Sequence, residues 1–270
     1  MGMQRLMFSY AVTGISRVAL VRDRVLGRVQ RDRVEQSRHG AMRHSIPSQE
    51  RVLDAVFVKP RSEPRAVLLI CHGIGEVVEH WTPVQELLAG HGVASLVFDY
   101  SGYGRSTGTV DWCRCEQDAI AAFAFLRKLA PGAAVSLLGF SLGSGVATAI
   151  LEKTEPERLV LCEAFTSFRD AACSLGVPQF CTGVLPPIWD GEQVLRRWRR
   201  PVLIVHSERD RMFPVEMAAQ LAEWCGPNAE LVVVPGHAHN EPFYKPRLAY
   251  WGEVVARLAG ERELNSVAGA

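Results

Sequence analysis

Short, mainly apolar segments alternate with longer segments of mixed composition along most of this chain. The short segments have the length and the nearly continuous apolar character of strands that are buried on both faces of a parallel sheet. They are residues 66–71, 94–99, 134–138, 158–163, 201–206 and 230–234. The longer segments are predicted helices at residues 81–89, 111–129, 144–151, 214–224 and 244–258. This alternation predicts an α/β fold, with a mostly parallel central sheet and helices on both faces.

One predicted strand is joined to the next helix by Gly139-Phe140-Ser141-Leu142-Gly143. A Gly-x-Ser-x-Gly sequence between a strand and a helix is typical of a nucleophile elbow, a sharp turn that lifts the serine side chain out of the sheet. Such a turn needs residues without bulk two positions before and after Ser141, and Gly139 and Gly143 meet that need. An ordinary strand-to-helix loop can have the same five residues, so partners elsewhere in the chain must decide.

Two such partners lie in polar loops that follow predicted strands. Asp210 follows the strand at residues 201–206, and His239 follows the strand at residues 230–234. Because the carboxyl ends of parallel strands meet at one edge of the sheet, we expect Ser141, Asp210 and His239 to lie close together. A histidine base and an orienting carboxylate are the groups that activate a serine nucleophile.

The chain resembles the α/β-hydrolase fold superfamily over about residues 52–258, because five segments match its pattern together. They are His72-Gly73, residues 99–106 (DYSGYGRS), Gly139–Gly143, residues 205–210 (VHSERD) and Gly236–Asn240. The run of residues 99–106 and the Gly-x-x-His-Asn loop are most similar to the lidless serine hydrolases of the depalmitoylase-like and carboxylesterase branch. The resemblance implies an α/β-hydrolase fold with at most a small cap.

The resemblance also implies a catalytic triad of Ser141, Asp210 and His239. Two positions have a competitor. His237 shares a loop with His239, but the register of the superfamily places the base directly before an asparagine, which favours His239. Glu163 ends the strand at residues 158–163, a second location for the acid in this fold, and the register favours Asp210.

A tetrahedral oxyanion would be held by the backbone N–H groups of Leu142, directly after the nucleophile, and of Ile74. His72 and Gly73 precede Ile74 and support this oxyanion loop, as Gly139 and Gly143 support the elbow. We expect no metal and no cofactor. The polar residues that follow the oxyanion loop could in principle bind a metal ion, but a polar loop and helix cap is the simpler interpretation; they are Glu76, Glu79 and His80.

Residues 1–50 differ from the rest, with nine arginines against four acidic residues. Apolar positions recur there at three- and four-residue steps, which predicts a basic amphipathic helical extension. Residues 5–35 of this extension could contact the domain, a second subunit or an anionic membrane surface, and the sequence does not decide among these partners. We assign residues 51–262 to the hydrolase domain, with residues 164–200 as a small cap-like excursion and residues 263–270 as a tail.

The formal net charge is only +1, and no basic patch is interleaved with aromatic residues, so a nucleic-acid binder is not expected. Seven cysteines, without a Cys-x-x-Cys pair, favour reduced thiols. No apolar run is long enough to span a bilayer, and the N-terminus lacks the features of a cleaved signal peptide. We therefore expect a cytoplasmic protein.

Together these features predict a serine hydrolase that cleaves carboxylic ester or thioester bonds through an acyl-enzyme. Its substrate would be a small molecule or an acyl carrier. A peptidase or an acyltransferase could use the same three residues. A non-catalytic binding or scaffold protein of the same fold is the alternative from another class, although it would have no need for a serine, an aspartate and a histidine in matched loops.

Overall fold

The structure, a computed structural model, describes residues 37–259. An eight-stranded sheet forms its centre, with the strand order β1-β2-β4-β3-β5-β6-β7-β8. The strands are β1 (Met42–Ser48), β2 (Arg51–Val58), β3 (Ala66–Cys71), β4 (Val93–Phe98), β5 (Val135–Phe140), β6 (Leu159–Cys162), β7 (Val202–Ser207) and β8 (Ala229–Val234). The pairs β1–β2 and β2–β4 are antiparallel, and the remaining pairs are parallel.

Nine α-helices accompany the sheet in the described residues. They are α1 (Val78–Gly90), α2 (Trp112–Leu129), α3 (Leu142–Ala149), α4 (Leu151–Thr154), α5 (Phe168–Ser174), α6 (Glu192–Arg197), α7 (Val215–Cys225), α8 (Glu241–Tyr244) and α9 (Leu248–Ala259). Helices α1 and α9 contribute to the apolar cluster on one face of the sheet. Helices α2, α3, α6 and α7 contribute to the cluster on the other face. The predicted three-layer α/β fold is therefore confirmed. No helix between residues 37 and 259 is both long and apolar enough to cross a bilayer.

The central strands are buried on both faces, as their continuous apolar runs predict. All side chains of β4, β5 and β7 are buried, whereas β8, at the edge of the sheet, is mostly half-buried or exposed. Helix α2 begins after Asp111, whose side chain accepts a hydrogen bond of 2.9 Å from the N–H of Cys113 and so caps the helix. The parallel strands β3, β5, β6, β7 and β8 all end at the same edge, and the polar loops meet there.

The predicted boundary at residue 50 is wrong for the part of the extension that the structure describes. Residues 42–48 are the edge strand β1, which pairs with β2 from Met42 opposite Phe57 to Ser48 opposite Arg51. The hairpin is fastened to helix α2, because Ser48 Oγ donates a hydrogen bond of 2.6 Å to Asp118 Oδ1. The domain therefore includes these residues, while the predicted helix over residues 5–35 and the tail lie outside the described range.

Residues 164–200, the predicted excursion between β6 and β7, contain helices α5 and α6 and a 3-10 helix at Gln179–Val184. They pack on helix α3 through aromatic side chains. The Trp189 side chain lies so close to Gly145 that a Cβ there would approach its ring within 2.9 Å. The indole N–H of Trp189 also donates a hydrogen bond of 3.1 Å to Glu116 on helix α2.

Candidate active site

Ser141 lies at the tight turn between strand β5 and helix α3. Its φ of 52° and ψ of −121° are unusual for a residue with a side chain and cost on the order of 1–3 kcal/mol. The surrounding backbone holds this conformation, because the Ser141 N–H donates to the Cys162 carbonyl at 3.0 Å. The Ser141 carbonyl oxygen accepts two hydrogen bonds from Ser144, one of 2.9 Å from its backbone N–H and one of 2.7 Å from its side-chain hydroxyl.

The two glycines of the elbow have no room for side chains. A Cβ at Gly139 would lie 2.5 Å from the Gly143 carbonyl oxygen. A Cβ at Gly143 would overlap the carbonyl oxygen of Cys71, the last residue of strand β3. The absence of side chains therefore lets the start of helix α3 pack directly on the end of β3, where the predicted oxyanion loop begins.

The structure brings Ser141, His239 and Asp210 into one hydrogen-bonded line. Ser141 Oγ lies 2.9 Å from His239 Nε2, and His239 Nδ1 lies 2.6 Å from Asp210 Oδ2. Asp210 is fixed in turn by its other oxygen, Oδ1, which accepts hydrogen bonds from the N–H groups of Met212, at 2.7 Å, and Phe213, at 3.0 Å. All three side chains of the line are buried.

The hydrogen-bond partners of this line fix the tautomer of the imidazole. Burial acts to raise the pKa of Asp210, but the hydrogen bond and charge of His239 outweigh it and hold that pKa below its usual value. Asp210 is therefore a carboxylate, and its Oδ2 atom accepts a hydrogen bond from the Nδ1–H group of His239. The Nε2 atom is then free to accept the hydroxyl proton of Ser141.

His237, the competing base, does not reach the serine. Its Nδ1 atom lies 2.9 Å from the carbonyl oxygen of Pro235, and its ring packs at 6.3 Å from that of Tyr250. Of the two histidines in this loop, only His239 contacts Ser141.

Glu163, the competing acid, also lies at the site but is bonded differently. It is buried at the end of strand β6 with a φ of 49°. Its Oε1 atom accepts hydrogen bonds from the N–H of Ser207, at 3.1 Å, and from its hydroxyl, at 2.8 Å. Burial, and then the neighbouring Asp210, raise its pKa well above the usual value. Asp210 and not Glu163 is the carboxylate hydrogen-bonded to His239.

Glu163, Asp210 and His239 are the one group of side chains in residues 37–259 that could supply three ligand atoms to a metal ion. Their geometry is that of hydrogen bonds. Two ligands of a tetrahedral zinc ion lie about 3.3 Å apart, given bonds of roughly 2.0 Å, whereas Asp210 Oδ2 and His239 Nδ1 are 2.6 Å apart. The cluster does not have the spacing of a metal centre.

The predicted oxyanion loop starts with a buried, neutral histidine. Burial lowers the pKa of His72 to about 4, and its Nδ1 atom lies 2.8 Å from the Gly73 carbonyl oxygen. The Tyr100 hydroxyl donates to the His72 carbonyl at 3.2 Å. His72 is thus tied into the loop, and it has no hydrogen bond to Ser141 or His239, which agrees with a supporting role.

Glu76 is a residue of this loop whose contacts the sequence did not reveal. Its Oε2 atom accepts hydrogen bonds from the Gly73 N–H, at 2.7 Å, and from the indole N–H of Trp81, at 2.9 Å. A Cβ at Gly73 would collide with this carboxylate. The only signal in the sequence was an acidic residue three positions after the glycine of a buried loop.

The neighbouring polar residues, Glu79 and His80, have partners of their own. Glu79 Oε1 accepts from Arg43 at 2.9 Å, and His80 Nδ1 accepts from the N–H of Val77 at 3.3 Å, at the start of helix α1. Their side chains therefore act in a helix cap and an ion pair, as the simpler interpretation of the sequence holds.

Known proteins with similar sequences point to the same superfamily. Residues 62–190 match the family described as serine aminopeptidase S33. The lysophosphatidylserine lipase ABHD12 of Macaca fascicularis is 28% identical over 221 residues, which cover 73% of this chain and 55% of that protein. The protein bem46 of Schizosaccharomyces pombe is 25% identical over 219 residues, which cover 76% of this chain and 71% of bem46. The chain thus spans about half the length of the first of these relatives.

The fold has close counterparts among solved structures. The esterase Pf2001 of Pyrococcus furiosus superposes with a TM-score of 0.67 over 85% of this chain and 95% of its own, at 18% sequence identity. The sheet order, the serine at the strand-to-helix turn and these likenesses together define a class, the α/β hydrolases. The chain has the α/β-hydrolase fold, and its sequence is similar to those of serine hydrolases of that superfamily.

Proposed function

We propose that this chain is a serine hydrolase that cleaves carboxylic ester or thioester bonds through an acyl-enzyme on Ser141. One observation carries the proposal, the continuous hydrogen-bonded line from Ser141 Oγ through His239 to Asp210, at 2.9 Å and 2.6 Å. A serine hydroxyl is a weak nucleophile at neutral pH, and a neutral imidazole at hydrogen-bond distance is what activates it.

In the first half of the reaction, Ser141 Oγ attacks the acyl carbon while its proton passes to His239 Nε2. The tetrahedral intermediate then collapses, the bond to the leaving alcohol or thiol breaks, and His239 returns the proton to that leaving atom. In the second half, water attacks the acyl-enzyme and gives one proton to His239. The bond between the acyl carbon and Ser141 Oγ then breaks, and His239 passes the proton to Oγ as the acid is released. Asp210 stabilises the imidazolium in both halves without taking the proton.

We assign the oxyanion to the backbone N–H groups of Leu142 and Ile74. Leu142 is the first residue of helix α3, so its N–H has no partner within the helix and lies at the positive end of the helix dipole. The packing of Gly143 on the end of β3 draws this N–H toward the loop that carries Ile74. Each such donor typically contributes about 3 kcal/mol to transition-state stabilisation.

One further consideration favours esters or thioesters over peptides. The relatives include a lysophosphatidylserine lipase, and the solved structure with a similar fold is that of an esterase, Pf2001. The name of the matching family suggests an aminopeptidase instead. An aminopeptidase would form its acyl-enzyme with the residue that carries the substrate ammonium group, so an aminoacyl substrate tests that alternative directly. An acyltransferase would differ only in using another acceptor in place of water.

The first experiment is labelling with a fluorophosphonate, measured as intact mass. We expect one adduct on the native protein and none on Ser141→Ala. Ser174→Ala, which removes a hydroxyl on helix α5 bonded only to its own helix at 3.0 Å, should label like the native protein. If the folded native protein takes no adduct, Ser141 is not activated and the scaffold hypothesis replaces this one.

A substrate panel then separates the candidate enzymes. It compares a p-nitrophenyl ester, a thioester and an aminoacyl p-nitroanilide at equal concentration. We expect hydrolysis of the first two and not of the third. Cleavage of the anilide in preference to the ester would make the peptidase the better assignment, and acyl transfer to an added alcohol faster than to water would indicate an acyltransferase.

We also propose a reducing compartment, the cytoplasm, for this protein. Its seven cysteines all lie among the described residues and are unpaired, which is the state that a reducing compartment maintains. Burial raises the pKa of Cys71 to about 12, so this thiol is unreactive. Protein isolated without reductant and then denatured should give seven titratable thiols, and fewer would argue for an oxidising location.

A further inference from the structure

A cavity of about 620 Å³ opens directly beside His239, between the loops that follow strands β7 and β8. Its volume is in the range of sites for small molecules. Its lining residues come from these two loops and from helix α8 and its end: Arg209, Arg211, Met212, Ala238, His239, Asn240, Glu241, Tyr244 and Lys245.

The charged side chains of this cavity are mostly positive. Arg209, Arg211 and Lys245 face a single carboxylate, that of Glu241. Arg209 is held in place by a hydrogen bond to the carbonyl of Gly236. Arg211 and Lys245 form no ion pair within residues 37–259, so their charges are available to a ligand.

The one acidic side chain is already engaged. Glu241 Oε2 accepts a hydrogen bond of 2.9 Å from the N–H of Ala238. That hydrogen bond, and then nearby positive groups that include Arg209 and Lys245, lower the pKa of Glu241. The Glu241 carboxylate thus stabilises the turn that carries His239. One carboxylate cannot neutralise three basic side chains, so the cavity keeps a net positive charge.

The position of the cavity identifies which part of a substrate would occupy it. His239 Nε2 must return a proton to the leaving atom, so the leaving group lies within hydrogen-bond reach of this nitrogen. In the proposed mechanism the oxyanion contacts the N–H groups of Leu142 and Ile74, and neither residue lines this cavity. A leaving group larger than a few atoms must therefore extend along the loop of His239, which is one wall of the cavity.

We infer that this cavity binds a leaving group that carries a negatively charged oxyanion, a phosphate or a carboxylate, through Arg211 and Lys245, with Arg209 at its rim. The inference rests on the proposed function, because it concerns the alcohol or thiol released from the Ser141 acyl-enzyme. Guanidinium groups match phosphate and carboxylate oxygens with paired hydrogen bonds, and an ammonium group adds a point charge. An acyl donor with a neutral leaving group would lack these contacts.

The test compares substrates with the same acyl chain and different leaving groups. An ester pair is a monoacylglycerol and the corresponding lysophosphatidylglycerol, and a thioester pair is an acyl-N-acetylcysteamine and the corresponding acyl-coenzyme A. We expect kcat/KM to be higher for the charged member of at least one pair, by about tenfold, mainly through KM. A preference in the ester pair alone identifies a lipid headgroup, and one in the thioester pair alone identifies a phosphorylated thiol carrier.

The matched variants are Arg211→Ala/Lys245→Ala and Arg196→Ala. The double variant should lower the charged-to-neutral ratio of kcat/KM by about tenfold, the loss expected for two partly exposed charged contacts. Arg196 is an exposed arginine on helix α6 that pairs with Glu192 at 2.9 Å, so its removal should leave the ratio unchanged. Raising the ionic strength should lower the ratio in the native protein and not in the double variant.

The inference is overturned if neither pair shows a preference for the charged member, or if the double variant keeps the native ratio. Failure of the proposed function gives a different result: neither neutral nor charged substrates are hydrolysed, and the fluorophosphonate forms no adduct. Arg211 and Lys245 are both exposed, so the double variant should fold. Replacing Arg211→Ala by Arg211→Lys in that variant keeps the charge and should restore part of the charged-to-neutral ratio.

Discussion

Oε2 of Glu163 lies 4.0 Å from Nδ1 of His239, the same nitrogen that Asp210 contacts at 2.6 Å. Two carboxyl groups thus face one imidazole nitrogen. Burial and the neighbouring Asp210 raise the pKa of Glu163, whereas His239 holds the pKa of Asp210 below its usual value. A pair of acids whose pKa values are pushed apart in this way has one neutral and one charged member. Here Asp210 is the anion and Glu163 the neutral acid.

The first prediction concerns which of the two acids orients His239. Asp210→Asn should lower kcat by about 10³- to 10⁴-fold, because an amide no longer fixes the imidazole tautomer. Glu163→Gln should stay within about tenfold of the native kcat, since it replaces a neutral acid by a neutral amide. The measurement is kcat on a neutral ester, with circular dichroism as the control for folding. A larger loss in Glu163→Gln than in Asp210→Asn would transfer the role to Glu163, and equal losses would assign it to both acids.

The second prediction concerns the pH dependence of stability. The pKa of Glu163 is raised in the folded state above its usual value of 4.5. The stability that this proton supports is therefore complete below pH 4.5 and is lost as the pH rises through the folded pKa, by at most about 1.4 kcal/mol per pH unit. Denaturant unfolding between pH 4 and 9 should show the native protein losing stability relative to Glu163→Gln. Parallel pH curves for the two proteins would contradict this account.

Much of this fold follows from the pattern of the sequence alone. The continuous apolar runs of the central strands predict their burial, because in a parallel sheet both faces are covered. The elbow was also predictable, since it requires two residues without side chains and the sequence has Gly139 and Gly143 at the required positions. The polar residues that follow strands could be assigned to one edge of the sheet for the same topological reason.

Other features depend on contacts that no local pattern reports. Strand β1 is an edge strand that contains Pro47, and Ile46 is its one fully buried apolar side chain, so its sequence lacks the apolar run of a central strand. The position of Glu76 depends on the indole of Trp81 reaching it across the first turn of helix α1. Topology alone leaves Asp210 and Glu163 open, since both follow strands at the same edge of the sheet. The resemblance to the superfamily favoured Asp210, and His239 is hydrogen-bonded to Asp210.

The third prediction concerns the glycine that lets the elbow approach strand β3. Gly143→Ala should lower both stability and kcat, because the new Cβ would overlap the Cys71 carbonyl oxygen and push helix α3 away from the oxyanion loop. We expect a loss of about 2 kcal/mol or more in the free energy of unfolding. Gly183→Ala is the matched control, since a Cβ there meets no atom within 4 Å. An active and stable Gly143→Ala would show that the close packing is dispensable.

The fourth prediction concerns Glu76, which accepts hydrogen bonds at one oxygen from the Gly73 N–H and the Trp81 indole, at 2.7 Å and 2.9 Å. Both donors are buried, so removing their acceptor in Glu76→Ala should cost about 1–3 kcal/mol for each one. The loop between Gly73 and Glu76 carries the N–H of Ile74, so its displacement should weaken the oxyanion contact and not the binding of the ground state.

Glu76→Ala should therefore lower kcat by about 10²-fold, the loss typical of one oxyanion donor, with little change in KM. Glu76→Gln keeps one acceptor oxygen and should recover part of kcat. Trp81→Phe removes only the indole donor and leaves the bond to Gly73, so it should lose stability while keeping more of kcat than Glu76→Ala. Steady-state kinetics and denaturant unfolding of the three variants separate these effects. A raised KM with native kcat in Glu76→Ala would show that this carboxylate supports substrate binding and not the oxyanion loop.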